Sequence, residues 1–317
     1  MVATPTPAEP NRQGQSLTVR ANGLDFYVTE MAPSEASDGD GSKLALCLHG
    51  FPELGHSWRH QLPVLADLGY RVWAPDLRGY GRTRPRPSDV VDYSMQHLLD
   101  DVTALIDASE CSEVVLIGHD WGAAVAWMYA MQGERPLERL IILNVPHPAC
   151  FERELRTLRQ LRKSWYILAF QIPWLPEKLL TVREAKAVGR AFTDMAVNLD
   201  RFTPDDVLPY REAALEPGAA RAMVNWYRAA FRDLRRDQLP SPIIDVATLM
   251  VWGLQDTALG ARTTDGTHEH VSDLTIRFLP DSSHWVQQDT PDEVNAMLAA
   301  FLSDLEVPGL PTRLQPR

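Results

Sequence analysis

The chain has 317 residues, 45% hydrophobic and 23% charged, with 24 Pro, 18 Gly and 3 Cys, shares that exclude collagen-like, low-complexity and wholly disordered architectures. Forty-two acidic residues against 31 basic ones give a formal charge of −11, which opposes binding to nucleic-acid phosphates or to an anionic membrane surface. No apolar run approaches the ~20 residues needed to span a bilayer, and an odd number of cysteines, with Cys47 and Cys111 inside apolar runs, points to reduced thiols in a cytoplasmic protein.

The opening MVATPTPAEPNRQGQS has neither a signal-peptide pattern nor helical spacing, so residues 1–15 read as a flexible tail. LTVRANGLDFYVTE then alternates apolar and polar residues around Asn22-Gly23, the signature of a tight antiparallel hairpin. LALCLHG is almost continuously apolar, as a strand buried on both faces must be. Similar runs recur at YRVWAPDL, SEVVLIGHD, LERLIILNVP, ATLMVWGLQD and LTIRFLPDSS, separated mostly by stretches of helical spacing such as MQHLLDDVTALIDASE. This alternation predicts an α/β fold with a mostly parallel sheet flanked by helices, in which ligands bind beyond the carboxyl ends of the strands.

The alternation stops between about Pro148 and Leu239, where the spacing is helical and no strand is evident. Residues 148–239 therefore read as a helical cap over the strand ends, and residues 16–147 with 240–306 as the core. Arg232, Arg235 and Arg236 read as a solvated helix face. Thr290-Pro291-Asp292-Glu293 opens the last helix, with Thr as N-cap and Pro at the first helical position. Residues 307–317 read as a frayed C-terminal tail.

VVLIGHDWGAAVAW is a strand, a Gly-x-nucleophile-x-Gly turn and a helix, with Asp120 between Gly118 and Gly122. Small neighbours permit the strained turn that lifts a nucleophile above the sheet, and a carboxylate there suits attack on an sp³ carbon through an alkyl ester. A base must follow in chain order. His284 lies on the loop after LTIRFLP and is the expected base, whereas His268 and His270 fall in a polar loop read as solvated. No cofactor, nucleotide or metal is implied, since no phosphate-cradling loop or ligand spacing is evident.

HGFPE (His49 to Glu53), DLRGYGRT (Asp76 to Thr83), GHDWG (Gly118 to Gly122), NVPHP from Asn144 and SSHW before the last helix resemble the α/β-hydrolase family, and within it the epoxide hydrolases. The resemblance covers nearly all of residues 16–306 and implies a two-step hydrolysis by Asp120, His284 and an orienting acid. In some relatives that acid follows the strand ending here in IILNV, but Asn144 stands there, so Asp256 after VWGLQ is preferred by elimination. The backbone N–H groups of Phe51 and Trp121 are the expected oxyanion donors. Tyr166 and Tyr227 resemble the two tyrosines that assist ring opening in the epoxide hydrolase cap, and Trp165, Phe170, Trp174 and Trp226 suggest an apolar pocket for a lipophilic epoxide, with water as second substrate. A haloalkane or fluoroacetate-type dehalogenase, or a non-catalytic binding protein on the same fold, is the alternative.

Overall fold

The computed structural model describes residues 14–312 apart from 38, 40, 164 and 234–242. Most of the expected N-terminal tail, together with Arg235 and Arg236, thus lies outside the described residues. The hairpin forms as its sequence predicts. β1 (Gln15–Ala21) pairs antiparallel with β2 (Leu24–Met31), and Asn22 and Gly23 take φ values of 44° and 75°, the positive pair that matches strand twist in a two-residue turn.

Six further strands complete the sheet: β3 (Lys43–Leu48), β4 (Arg71–Pro75), β5 (Glu113–His119), β6 (Arg139–Leu143), β7 (Thr248–Gly253) and β8 (Leu274–Leu279). The order is β1-β2-β4-β3-β5-β6-β7-β8, antiparallel through β4 and parallel from there on. Alternate residues of the inner strands feed two separate cores. Val114, Leu116, Leu140 and Ile142 pack with Leu98 and Val102 of α2 (Met95–Ser109) and Val125 of α3 (Trp121–Gln132). Val115, Ile117, Ile141 and Leu143 pack on the other face with Leu65 and, near the C-terminus, Val294 and Leu298. Both faces are covered, so these strands show no polar alternation.

Between β6 and β7 the described residues form helices and no strand: α4 (Pro148–Leu155), α5 (Leu158–Lys163), α6 (Trp165–Ala169), α7 (Leu175–Thr193), α8 (Pro204–Leu215) and α9 (Ala219–Asp233). Specific polar contacts tie them to the sheet. Trp285 Nε1 donates to the Ala191 carbonyl at 3.1 Å, Trp226 Nε1 to the Arg78 carbonyl at 3.1 Å, and Lys163 Nζ to the Asp256 carbonyl at 2.9 Å. Phe192 stacks on Tyr210 with ring centroids 4.4 Å apart and packs on Trp285 at 4.6 Å.

Two expectations near the C-terminus change. Thr290 precedes α11 (Pro291–Leu302), but its hydroxyl donates to the Val286 carbonyl at 3.2 Å and pairs with Ser282 at 2.9 Å instead of capping the helix. The short α10 (Val286–Asp289) runs directly into α11 and offers that carbonyl first. Residues 307–310 are not frayed. Val307 is buried, its carbonyl accepts from Arg277 Nε at 2.8 Å, and Leu310 bridges Phe278 of β8, so the chain end covers an otherwise open sheet edge. Among the described residues no helix is long and apolar enough to cross a membrane.

Candidate active site

The site is built at the carboxyl ends of β3, β5, β7 and β8. After His119 the chain turns sharply into α3 through Asp120, whose φ of 47° and ψ of −121° lie outside the ordinary regions for a non-glycine residue. The turn is possible because its neighbours lack side chains. A Cβ on Gly122 would stand 2.1 Å from the Leu48 carbonyl oxygen, and one on Gly50 would stand 2.3 Å from Asp120 Cβ.

Asp120 Oδ1 accepts the Phe51 N–H at 2.7 Å, and Oδ2 lies 3.4 Å from His284 Nε2. His284 Nδ1 lies 2.7 Å from Asp256 Oδ2. Asp256 is held in turn: Oδ1 accepts the N–H groups of Ala258 at 2.7 Å and Leu259 at 2.8 Å, and Oδ2 accepts Asn144 Nδ2 at 2.8 Å. The side chain of Asn144 also accepts the Gly253 N–H at 2.8 Å. Asn144 is therefore a support for the acid rather than a lost acid, a role not visible in sequence.

Burial opposes ionisation of Asp120 and Asp256, yet the charge and hydrogen bonding of His284 outweigh it and hold both carboxyls below their usual range. For His284 burial favours the neutral ring, but Asp256 and then Asp120 reverse that and raise it to about 10. These shifts favour a protonated His284 between the two carboxylates.

Above Asp120 the cap supplies an aromatic enclosure. Tyr227 meets Phe51, Trp121 and Phe170 edge-on, with ring centroids 5.3, 5.0 and 4.7 Å away, and Tyr166 lies 5.9 Å from Tyr227. Burial, then the charge of Asp120, pushes both phenols up, so they remain donors at neutral pH. Trp121 is the first residue of α3, which leaves its N–H among the donors of the helix N-terminus.

The four expected pocket residues divide. Phe170 joins the enclosure. Trp226 stands behind it, fully buried against Trp121 and Tyr80 with its indole N–H bonded to the core. Trp165 and Trp174 are corrections: they are 65% and 70% exposed. Successive helical residues point about 100° apart, and on α6 Tyr166 faces Tyr227 while Trp165 turns to solvent. Trp174 lines a separate surface groove of about 1110 Å³ with Arg86, Glu177 and Arg228.

These features converge with what the chain resembles. The model of the alpha/beta hydrolase fold matches residues 45–291. The AB hydrolase superfamily protein YfhM of Bacillus subtilis is 36% identical over 90% of this chain and 97% of its own, and human Epoxide hydrolase 4 is 36% identical over 90% and 78%. The chain belongs to the α/β-hydrolase family. Among α/β-hydrolases it groups with the epoxide hydrolases. A crystal structure of the Bacillus megaterium epoxide hydrolase in complex with an inhibitor superposes with a TM-score of 0.81 at 30% identity, covering 91% of this chain and all of that one.

The hydrolase also contains a buried polar network that sequence reasoning did not assign. Glu53 Oε2 accepts the Gly50 N–H at 2.9 Å and lies 2.7 Å from His119 Nδ1, while Oε1 accepts the side-chain amides of Gln287 and Gln288 at 3.0 and 2.8 Å. His119 Nε2 lies 2.8 Å from the His284 carbonyl oxygen. This chain of contacts joins the loop that carries Phe51 to the loop that carries His284. Glu53 and His119 stand inside HGFPE and GHDWG, so the signal was present, but only the fold brings them together. A second correction concerns His270, read as solvated. Its ring stacks on buried His147 at 4.5 Å, whereas His268 is exposed.

Proposed function

We propose that this hydrolase converts lipophilic epoxides to vicinal diols through an ester on Asp120. The observation that carries the reading is a carboxylate with one oxygen held by a backbone N–H and the other facing an acid-oriented histidine, beneath two tyrosines. Because Oδ1 is held by Phe51, Oδ2 is the attacking oxygen. It forms a bond to an oxirane carbon as the C–O bond breaks, and the departing oxygen takes a hydrogen bond and then a proton from Tyr166 or Tyr227.

Esterification removes the negative charge of Asp120. The imidazolium of His284 then loses one of the two carboxylates that stabilise it and becomes a base by releasing its proton, which by way of solvent restores the phenol that protonated the departing oxygen. Neutral His284, oriented by Asp256, takes a proton from water as the water oxygen adds to Cγ of the ester. The resulting oxyanion at Oδ1 is met by the N–H groups of Phe51 and Trp121. Collapse expels the diol alkoxide, which recovers the proton from His284. The aromatic enclosure favours an apolar substituent on the epoxide. Free thiols at Cys47, Cys111 and Cys150 suit a reducing compartment, and we place the enzyme in the cytoplasm.

A single turnover in heavy-oxygen water tests the mechanism. The expected first-cycle diol carries no heavy oxygen, which is found instead in the Asp120 peptide. Heavy oxygen in that diol would mean that water attacks the epoxide directly. Halide release from chloroalkanes or fluoroacetate, with no diol from any epoxide, would instead identify a dehalogenase.

A further inference from the structure

We propose that His147, Cys150 and His270 form a binding site for one borderline-soft divalent cation, zinc being the reference case, built from residues the proposed reaction does not use. His147 is the N-cap residue of α4, Cys150 lies on its first turn, and His270 ends the 3-10 turn Thr267–Glu269. Each offers one ligand atom, and these atoms all lie within 4.8 Å of one another. Two imidazoles and a thiolate are a donor set for zinc and similar ions, not for magnesium or calcium.

A second observation points to a ligand. His147 is fully buried, and among the described residues its Nε2 has no hydrogen-bond partner, an arrangement that is disfavoured unless something occupies the lone pair or accepts the N–H. The Nδ1 of His147 accepts the Ala149 N–H at a long 3.3 Å. Coordination at Nε2 moves the ring hydrogen to Nδ1 and exchanges that contact for a metal–nitrogen bond.

Zinc bonds of ~2.0–2.3 Å place tetrahedral ligand atoms roughly 3.3–3.8 Å apart. His270, the half-exposed member, must therefore swing inward by about 1 Å and out of its parallel stacking on His147. Cys150 loses its proton to solvent as the sulfur–metal bond forms, and the Thr267 hydroxyl, now 3.9 Å from Sγ, is placed to donate to the thiolate. The fourth position is left to water. A bound ion would clamp the start of the cap to the loop that follows Asp256. Sequence spacing could not reveal the set, because His270 lies more than 100 residues beyond the other two ligands.

The test uses the full chain, stripped with chelator and then titrated with Zn²⁺ and, separately, with Co²⁺. The expected results are one ion per chain, a thiolate-to-cobalt absorption band in the near ultraviolet, and alkylation of Cys150 slowed about tenfold by Zn²⁺ while Cys111 is unaffected. Cys150→Ser should abolish the cobalt band, and His270→Ala should weaken zinc binding about tenfold or more, with far-ultraviolet circular dichroism confirming that both variants fold. Epoxide turnover by His270→Ala should stay within twofold of the parent. No cobalt–thiolate band at saturating Co²⁺, or zinc binding of undiminished affinity in both variants, would overturn the proposal.

Discussion

The charge state of His284 controls both halves of the proposed cycle, and Asp120→Asn isolates it. The amide has nearly the shape of the carboxylate but removes the charge, as esterification does. With Nε2 and Oδ2 3.4 Å apart, a unit charge pair contributes about 5 kcal/mol at an effective dielectric of ~20. That corresponds to roughly three to four powers of ten in proton affinity. His284, which stands at about 10 in the parent, should then titrate between about 6 and 7. Nitrogen-detected NMR of labelled histidine, following His284 from pH 5 to 11 in parent and variant, gives both values. The sign for stability follows. Because the folded value lies above the ordinary 6.5, the stabilisation from this group is complete below about pH 6.5 and is lost as pH rises towards 10. In Asp120→Asn most of that loss should vanish from the alkaline denaturation profile. A parent His284 that titrates near 6.5, or a variant that still titrates near 10, would refute the reasoning.

Three further outcomes are expected. Tyr166→Phe and Tyr227→Phe should each slow ester formation about tenfold or more and the double variant at least ~10²-fold, read by stopped-flow tryptophan fluorescence under single-turnover conditions, with ester hydrolysis little changed. Asn144→Ala removes a donor from buried Asp256 and places a Cβ residue without a polar tip at φ 53°. It should lower stability by about 2–3 kcal/mol in urea, and Asn144→Gly should recover about 1 kcal/mol of that by relieving the backbone. Trp165→Ser and Trp174→Ser, both on the exposed face of the cap, should leave kcat/KM within twofold when diol formation is measured.

Much of the site was legible because each reacting group sits just after a strand. Asp120 follows β5, Asp256 follows β7 and His284 follows β8, so a chain-order argument could nominate three side chains that the fold brings into contact. The cap was harder to read. Tyr166 and Tyr227 were found by resemblance, but nothing in WYILAFQIPW says which aromatic faces inward. The hydroxyl of Thr290 showed a similar limit, since a cap motif cannot reveal that a preceding turn will offer a nearer acceptor.

The positions of the strands along the chain, the carboxylate at the turn and the helical character of the insertion were determined by the sequence alone, because they depend on local periodicity and on residues one to four positions apart. Only the tertiary structure decided that Asn144 supports Asp256, that Glu53 and His119 link two loops, that Trp165 and Trp174 face solvent, and that His270 meets His147. Those facts depend on distances between groups 66 to 165 positions apart and on which side of a helix faces the sheet. Such distances are set by how the two cores close around the sheet, and no local pattern encodes them.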